Sequence, residues 1–323
     1  MSARTAPTGQ GGGRSVTVRA PAKINLYLAV GAPRPDGYHP LATVYQAIGL
    51  YDDVTARPGG SGTVPVQLEL TASDHVDGSS VPLAPGTNLV HRAAELLGAH
   101  HGRTLRADVH VEKDIPVAGG LAGGSADAAA TLVALDRLHD LQTPDDALLA
   151  IAAELGSDVP FCLLGGTAAG VGRGEQVAPY ADPAIVDATW WWVVVPSREG
   201  LSTPRVFAHH DRLRPDAAAE GVVVPDRVIA ALASQDAELL GQVLHNDLQL
   251  PALDLRPDLV DVLQAGEDAG AVRGIVSGSG PTCVFLCTDA DHAREVAERL
   301  RATYDVVLVA TGPVAGVHRV EYV

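Results

Sequence analysis

Lysine is nearly missing from this chain: Lys23 and Lys113 are the only two in 323 residues, although arginine is plentiful. A GC-rich coding sequence accounts for the imbalance, and it makes each surviving lysine worth placing. Aromatic residues reach only 4% against 46% hydrophobic overall, so the cores are built mainly from Ala, Val and Leu. Basic charge is also short. The formal net charge of −16 argues against a nucleic-acid or anionic-membrane partner, since either requires a basic face. Phosphate can still bind where backbone N–H groups and a few cations are arranged locally. No apolar run approaches the roughly 20 residues of a membrane helix. Cys162, Cys283 and Cys287 are odd in number and form no C-x-x-C pair, which reads as buried thiols in a reducing compartment. Residues 1–14 are rich in Gly, Thr and Ser with no apolar stretch, so they read as a flexible tail and not a signal peptide. A cytoplasmic protein is expected.

The length suits two domains. Beyond the tail, Ser15–Val30 reads as extended structure broken near Pro21, and Thr43–Ala56 and Val64–Ala72 as further strands. Asn88–His101 is predicted helical with Asn88 as N-cap, followed by a strand at Leu105–Lys113 and a helix from Ser125 to His139. Ala128, Leu132 and Leu135 give that helix an apolar stripe. Another helix is expected over Pro144–Leu155, with Thr143 as N-cap and Pro144 at its first position. The second half has a different rhythm. Ignoring inserted helices at Pro225–Ala233 and Ala237–His245, it reads strand Trp190–Val195, helix Leu259–Ala269, strands Val272–Ser277 and Thr282–Cys287, helix Ala290–Ala302, strand Val306–Ala310. That β-α-β-β-α-β order is the ferredoxin-like, split βαβ arrangement. The boundary is placed in Ala181–Asp187, giving units at 15–183 and 184–323 in an α+β protein.

The strongest local signal is Pro116-Val117-Ala118-Gly119-Gly120-Leu121-Ala122-Gly123-Gly124-Ser125, which joins a predicted strand to a predicted helix. Its glycines let the backbone approach a ligand and turn its N–H groups inward, with a helix N-terminus behind them, as an anion site requires. An ordinary flexible connection would carry the same glycines. No Gly-Lys-Ser/Thr follows, so this is not a P-loop, and no G-x-G-x-x-G occurs. Lys23 and Asn25 in Pro21–Leu26 are two apart on a strand and share a face, whether for a ligand or for solvent. Asp36-Gly37-Tyr38-His39 follows the turn-forming Pro35. In Gly156-Ser157-Asp158-Val159-Pro160, Gly156 suits a helix stop. Pro160 is expected to hold Val159 extended, leaving Asp158 at a stiff junction that suits either a fixed carboxylate or a loop cap. Gly278-Ser279-Gly280 links two predicted strands, either closing over a phosphate or simply turning the chain.

Together, Pro-Ala-Lys-Ile-Asn-Leu at Pro21–Leu26, the loop Pro116–Ser125 and the late Gly278-Ser279-Gly280 resemble, in order, the three motifs of the GHMP kinase family. Asp36–His39 and Gly156–Pro160 resemble the branch of that family whose substrate is a cytidine-diphosphate-linked methylerythritol. The resemblance implies an N-terminal ATP-binding domain like ribosomal protein S5 domain 2, a ferredoxin-like C-terminal domain, and a site in the cleft between them. It implies ATP and Mg²⁺, with no nucleic acid or membrane partner and a monomer or weak homodimer. Asp158 and Lys23 would be catalytic; Asn25, Tyr38, His39 and Phe207 would hold the substrate, with Tyr38 and Phe207 stacking on the base. Pro116 to Ser125 would bind ATP phosphates, Asn88 would reach the ribose, and Ser125 would be a metal ligand. The family usually has glycine at Ala122, a hydroxyl at Ala126 and an amide at Asp127. Ala122 is therefore expected at ordinary φ, and no side-chain contact is expected from Ala126 or Asp127. Kinases of homoserine, mevalonate or galactose, and a non-catalytic nucleotide-binding protein on the same fold, are the alternatives. The former would not need Tyr38 and His39, and the latter would need neither Asp158 nor Lys23.

Overall fold

The computed structural model describes residues 14–59, 64–117, 119–214 and 222–320. In chain order the elements are β1 (Val16–Val30), β2 (Leu41–Pro58), β3 (Val66–Ala72), α1 (Leu89–His100), β4 (Ala107–Lys113), α2 (Gly123–Leu138), α3 (Asp145–Leu155), α4 (Val159–Leu164), β5 (Thr167–Val171) and β6 (Gln176–Pro179). They continue with α5 (Pro183–Val186), β7 (Trp190–Val195), α6 (Thr203–Leu213), α7 (Asp226–Ser234), α8 (Ala237–Val243) and β8 (His245–Asn246). The last are α9 (Gln249–Leu255), α10 (Asp258–Asp268), β9 (Arg273–Val276), β10 (Cys283–Cys287), α11 (Ala290–Arg301), β11 (Leu308–Gly312) and β12 (His318–Arg319).

The first sheet follows the path β12-β1-β2-β4-β3, with β5 on β2, β6 on β5 and β8 on β1. Its centre is the long β1–β2 hairpin. The strand expected to break at Pro21 runs on, and Pro21 is absorbed by an irregularity in register between Pro21 and Ala22. α2 packs on this hairpin. Ala126, Ala128, Ala129, Ala130, Leu132, Ala134 and Leu135 are all fully buried, so the helix is apolar nearly all round and not only along one stripe. Its alanines let the helix axis lie close to the strands, which brings the loop before α2 down to β1.

The second sheet has the order β11-β7-β10-β9, with every neighbouring pair antiparallel. This is the split βαβ order expected from the sequence. The two sheets share one core: Trp192 is fully buried and donates from Nε1 to Gln46 Oε1 on β2 at 2.9 Å. The stretch 181–187 contains α5 and lies between β6 and β7. The chain crosses back afterwards, since β8 and β12 both pair with β1.

Two helix starts differ from expectation. Pro144, not Thr143, is the N-cap of α3, because Asp136 Oδ1 already takes both the N–H (2.9 Å) and the hydroxyl of Thr143. Val159 is not extended but opens α4, with Pro160 in the first turn, where its missing N–H costs no hydrogen bond. Asn88 caps α1 as predicted, accepting from Val90 N at 2.9 Å.

Candidate active site

A cleft of about 770 Å³ runs between the two sheets and is floored by β1. The loop between β4 and α2 forms one side: Gly119, Gly120, Ala122, Gly123 and Gly124 line the cleft, while Pro116 and Leu121 are buried beneath it. Ala118 lies outside the described residues. No side chain caps α2, so the first N–H groups of a 16-residue helix open into the cleft. Uncapped N–H groups at a helix start are the donors an anion requires. Ala122 does not have ordinary φ. It sits at φ 60°, ψ 29°, in the left-handed region, because the turn into α2 demands that conformation from whichever residue occupies the position.

Asp127 does not line the cleft; its side chain is engaged within the protein. Behind the loop, Lys113 Nζ donates to Asp127 Oδ2 at 2.8 Å and to Asp52 Oδ2, and Asp52 Oδ1 accepts the N–H groups of Asp114 and Ile115 at 2.7 and 2.9 Å. All three side chains are buried. Burial acts to lower the Lys113 pKa, but the charges of Asp127 and Asp52 outweigh it and hold the ammonium well above its ordinary value. Burial, and then the charge of Asp127, push the Asp52 carboxyl well up. A Cβ on Gly123 would lie 3.2 Å from Lys113 Nζ, so the triad supports the loop at its closest point.

The late glycine loop closes on the first. Ser277 Oγ donates to Gly120 O at 3.1 Å, and Thr282 N to Gly119 O at 3.3 Å. Gly120 has φ 76° and faces the Ser277 carbonyl so closely that a Cβ would lie 2.1 Å from it. Asn246, on β8, donates to Val276 O and Gly278 O at 2.8 and 2.7 Å, setting Gly278 over Lys23 and Asn25.

Lys23 and Asn25 share the cleft face of β1, as their spacing requires. Lys23 Nζ donates to Asn25 Oδ1 at 2.8 Å, Asn25 Nδ2 to Thr43 Oγ1 at 2.8 Å, and Thr43 Oγ1 to Tyr27 O at 2.7 Å. This relay fixes the Lys23 ammonium 3.7 Å from Asp158 Oδ2, at the start of α4. Lys23 is buried and Asp158 half-exposed, so a hydroxyl entering from the cleft can reach the carboxylate while the ammonium stays fixed behind it. Tyr45, fully buried beside them and stacked on Phe161 at 4.8 Å, lines the same point. Burial, then the charge of Asp158, raise its phenol well above the ordinary range, and it stays neutral.

The far end of the cleft is aromatic. Asp36 Oδ1 accepts from Tyr38 N at 3.0 Å and fixes the turn that carries Tyr38 and His39. His39 packs on Phe207 with ring centroids 4.9 Å apart, and Tyr38 lies half-exposed with the Arg173 guanidinium 4.8 Å from its ring centre. Asp211 completes this end and binds His39 Nε2 at 2.8 Å.

Most of the candidate residues are therefore brought together: Lys23, Asn25, Tyr38, His39, Gly119, Gly120, Ala122, Gly123, Gly124, Asp158, Phe207, Gly278, Ser279 and Gly280 all line one cleft. Asn88 does not line it; its amide is spent capping α1 and donating to Pro82 O at 2.8 Å. Val117 and Ser125 are half-buried at the edge of the loop, and Ser125 stands in the first turn of α2. Among the described residues no cluster of three acidic or imidazole groups could hold a metal. Sequence reasoning missed Tyr45, Arg173, Asp211 and Asn246. For Asp211 a signal existed: Ser202-Thr203-Pro204 is a helix-start pattern, and the helix it opens carries Phe207 and Asp211 one turn apart.

Comparison with known proteins agrees with this geometry. The family description "GHMP kinases N terminal domain" matches residues 88–166, and "GHMP kinases C terminal" matches residues 228–306. A protein of a Nocardioides species named 4-diphosphocytidyl-2-C-methyl-D-erythritol kinase is 60% identical over 94% of this chain and 100% of its own length. One of the same name from Thermobifida fusca is 53% identical over 94% of this chain and 97% of its own. Among solved structures, a 4-(cytidine 5'-diphospho)-2C-methyl-D-erythritol kinase superposes with a TM-score of 0.73 at 32% identity, covering 93% of this chain and all of that one. A homoserine kinase from Cytophaga hutchinsonii reaches a TM-score of 0.67 at 20% identity over 98% of this chain and 100% of its own, which speaks for the fold alone.

Proposed function

This chain belongs to the GHMP kinase family, and from that premise we propose that it transfers the γ-phosphoryl group of ATP to the 2-hydroxyl of 4-diphosphocytidyl-2-C-methyl-D-erythritol, a step of the non-mevalonate route to isoprenoid precursors. The relatives that carry this name span nearly the whole chain. The observation that carries the reading is the placement of one ion pair. Lys23 and Asp158 lie in the same cleft as an uncapped helix N-terminus at one side and an aromatic pocket at the other. A kinase of small, base-free alcohols has no use for the third part.

The residues divide the work. Loop N–H groups at Gly119–Gly124 receive the ATP phosphates. The aromatic end, with Tyr38, His39 and Phe207, holds the cytidine and so presents the methylerythritol hydroxyl to Asp158, an orientation effect. As the hydroxyl oxygen bonds to the γ-phosphorus and the bond to ADP breaks, an Asp158 carboxylate oxygen accepts the hydroxyl proton. The Lys23 ammonium favours the negative charge building on the attacking oxygen and on the phosphoryl group. Mg²⁺, when bound with ATP, supplies further neutralisation of phosphate charge. The Ser125 hydroxyl, in the first turn of α2, would be a protein ligand to an ion held mainly by phosphate oxygens and water. Arg173, over Tyr38, places a further positive charge at the substrate end.

Phosphorus NMR of the reaction of ATP with the cytidine-linked substrate tests this directly. The expected result is a new phosphomonoester resonance beside an intact diphosphate. Equal or faster turnover of homoserine or mevalonate would overturn the substrate while leaving the family.

A further inference from the structure

Asp211 has no part in the reaction described above, yet it stands in the substrate end of the cleft. It follows Phe207 by four residues on α6, so the two side chains share the face turned to the ligand. Its Oδ1 binds His39 Nε2 at 2.8 Å and lies 3.6 Å from His210 Nδ1. A carboxylate only accepts hydrogen bonds, so Nε2 carries the hydrogen and Nδ1 is the acceptor nitrogen of His39. His210 is buried, and burial lowers its pKa, so it stays neutral and does not cancel the charge of Asp211. About a third of the Asp211 side chain remains exposed (34%). An acid here repels a diphosphate-bearing ligand unless the ligand offers it a donor.

Pyrimidines differ at one such point. Cytosine carries an exocyclic amine, a donor, where uracil carries a carbonyl oxygen, an acceptor. Resting on the cytidine-linked reading, we propose that Asp211 is the residue that selects cytosine over uracil. Its carboxylate accepts a hydrogen bond from the exocyclic amine of the base held against His39 and Phe207, and it repels the uracil carbonyl. Hydrogen-bonded base contacts of this kind discriminate by about 10- to 100-fold.

The test is calorimetric binding of cytidine 5'-diphosphate and uridine 5'-diphosphate to the parent, Asp211→Asn and Asp211→Glu proteins, with folding followed by circular dichroism. The parent should bind the cytidine nucleotide about 10- to 100-fold more tightly. Asp211→Asn keeps an acceptor for His39 and adds an N–H donor for the uracil carbonyl. It should weaken cytidine binding, strengthen uridine binding and bring the two within about threefold. Asp211→Glu should keep the cytidine preference in sign. If Asp211 serves only to hold His39, both nucleotides weaken together and the ratio persists; that result, or a parent indifferent to the base, overturns the proposal. Turnover separates it from the function. A parent that selects the cytidine nucleotide but does not phosphorylate the cytidine-linked methylerythritol would overturn the function and leave Asp211 as the reader of the base. Turnover without base preference would do the reverse.

Discussion

Replacing Gly120 with alanine should disable the cleft by a route that can be worked out atom by atom. Gly120 lies at φ 76°, where an alanine pays about 1–2 kcal/mol of backbone strain. The new Cβ would stand 2.1 Å from the Ser277 carbonyl oxygen, far inside contact distance. That oxygen is backbone and already accepts from Gly280 N at 2.9 Å, while Ser277 Oγ holds Gly120 O at 3.1 Å. Relief therefore means separating the two loops, and the two hydrogen bonds that join them, Ser277 Oγ to Gly120 O and Thr282 N to Gly119 O, are worth about 0.5–1.5 kcal/mol each. The total is a loss of roughly 2–5 kcal/mol, read as a lower urea midpoint. A separation near 1 Å should also lower kcat/KM for ATP by on the order of a hundredfold. Gly124→Ala is the control: a Cβ there meets nothing within 4 Å and the residue lies in a helix, so stability should hold or rise. A Gly120→Ala protein within about 1 kcal/mol of the parent, with unchanged kcat/KM for ATP, would refute the claim that the two loops shape each other.

Asp158→Asn keeps the side-chain shape but removes the proton acceptor, and should lower kcat by about a hundredfold or more with little change in KM for ATP in steady-state assays. Tyr38→Ala should raise KM for the cytidine-linked substrate by about ten- to a hundredfold, from loss of roughly 1–3 kcal/mol of base stacking, and leave KM for ATP nearly unchanged. Lys113→Met leaves Asp52 and Asp127 buried without their cation, a loss of about 3–5 kcal/mol in chemical denaturation at neutral pH. Lys113 is what opposes the upward push of burial and of Asp127 on the Asp52 carboxyl, so without it the folded variant holds a proton on the buried pair more tightly than the folded parent does. The deficit of Lys113→Met should therefore shrink as pH falls from 7 toward 5 and grow as it rises; a deficit independent of pH would reject the buried-charge explanation.

The residues legible in the sequence were those whose signal is local. The glycine run before α2 announces itself by composition, Asn88 by its capping position, and the second sheet by its alternation of strands and helices. What was missed comes to the cleft through tertiary approach. Tyr45, Arg173 and Asn246 come from separate parts of the chain, and nothing near them in sequence marks a site; Asp211 had only the helix start at Ser202–Pro204 to point to it. β5 and β6 were missed as well: Thr167–Val171 is short, and its strand state depends on pairing with β2. Two local rules lost to larger constraints. The preference of non-glycine residues for negative φ lost at Ala122 to the turn that must deliver α2. The bias against helix before proline lost at Val159 because Pro160 occupies a first helical turn.

The bond from Ser277 to the loop before α2 joins residues 157 positions apart, and the bond from Thr282 reaches still further along the chain. This fixes when, during synthesis, the nucleotide site comes into being. A ribosome that has released β1 to β6 and α2 has released the loop that would touch the triphosphate from that side, yet Gly119 and Gly120 have no counterpart to hold their carbonyls until the segment through Thr282 emerges. The enzyme is thus assembled for nucleotide only when nearly all of the chain is made, and a nascent fragment stalled at the end of β6 would remain blind to ATP.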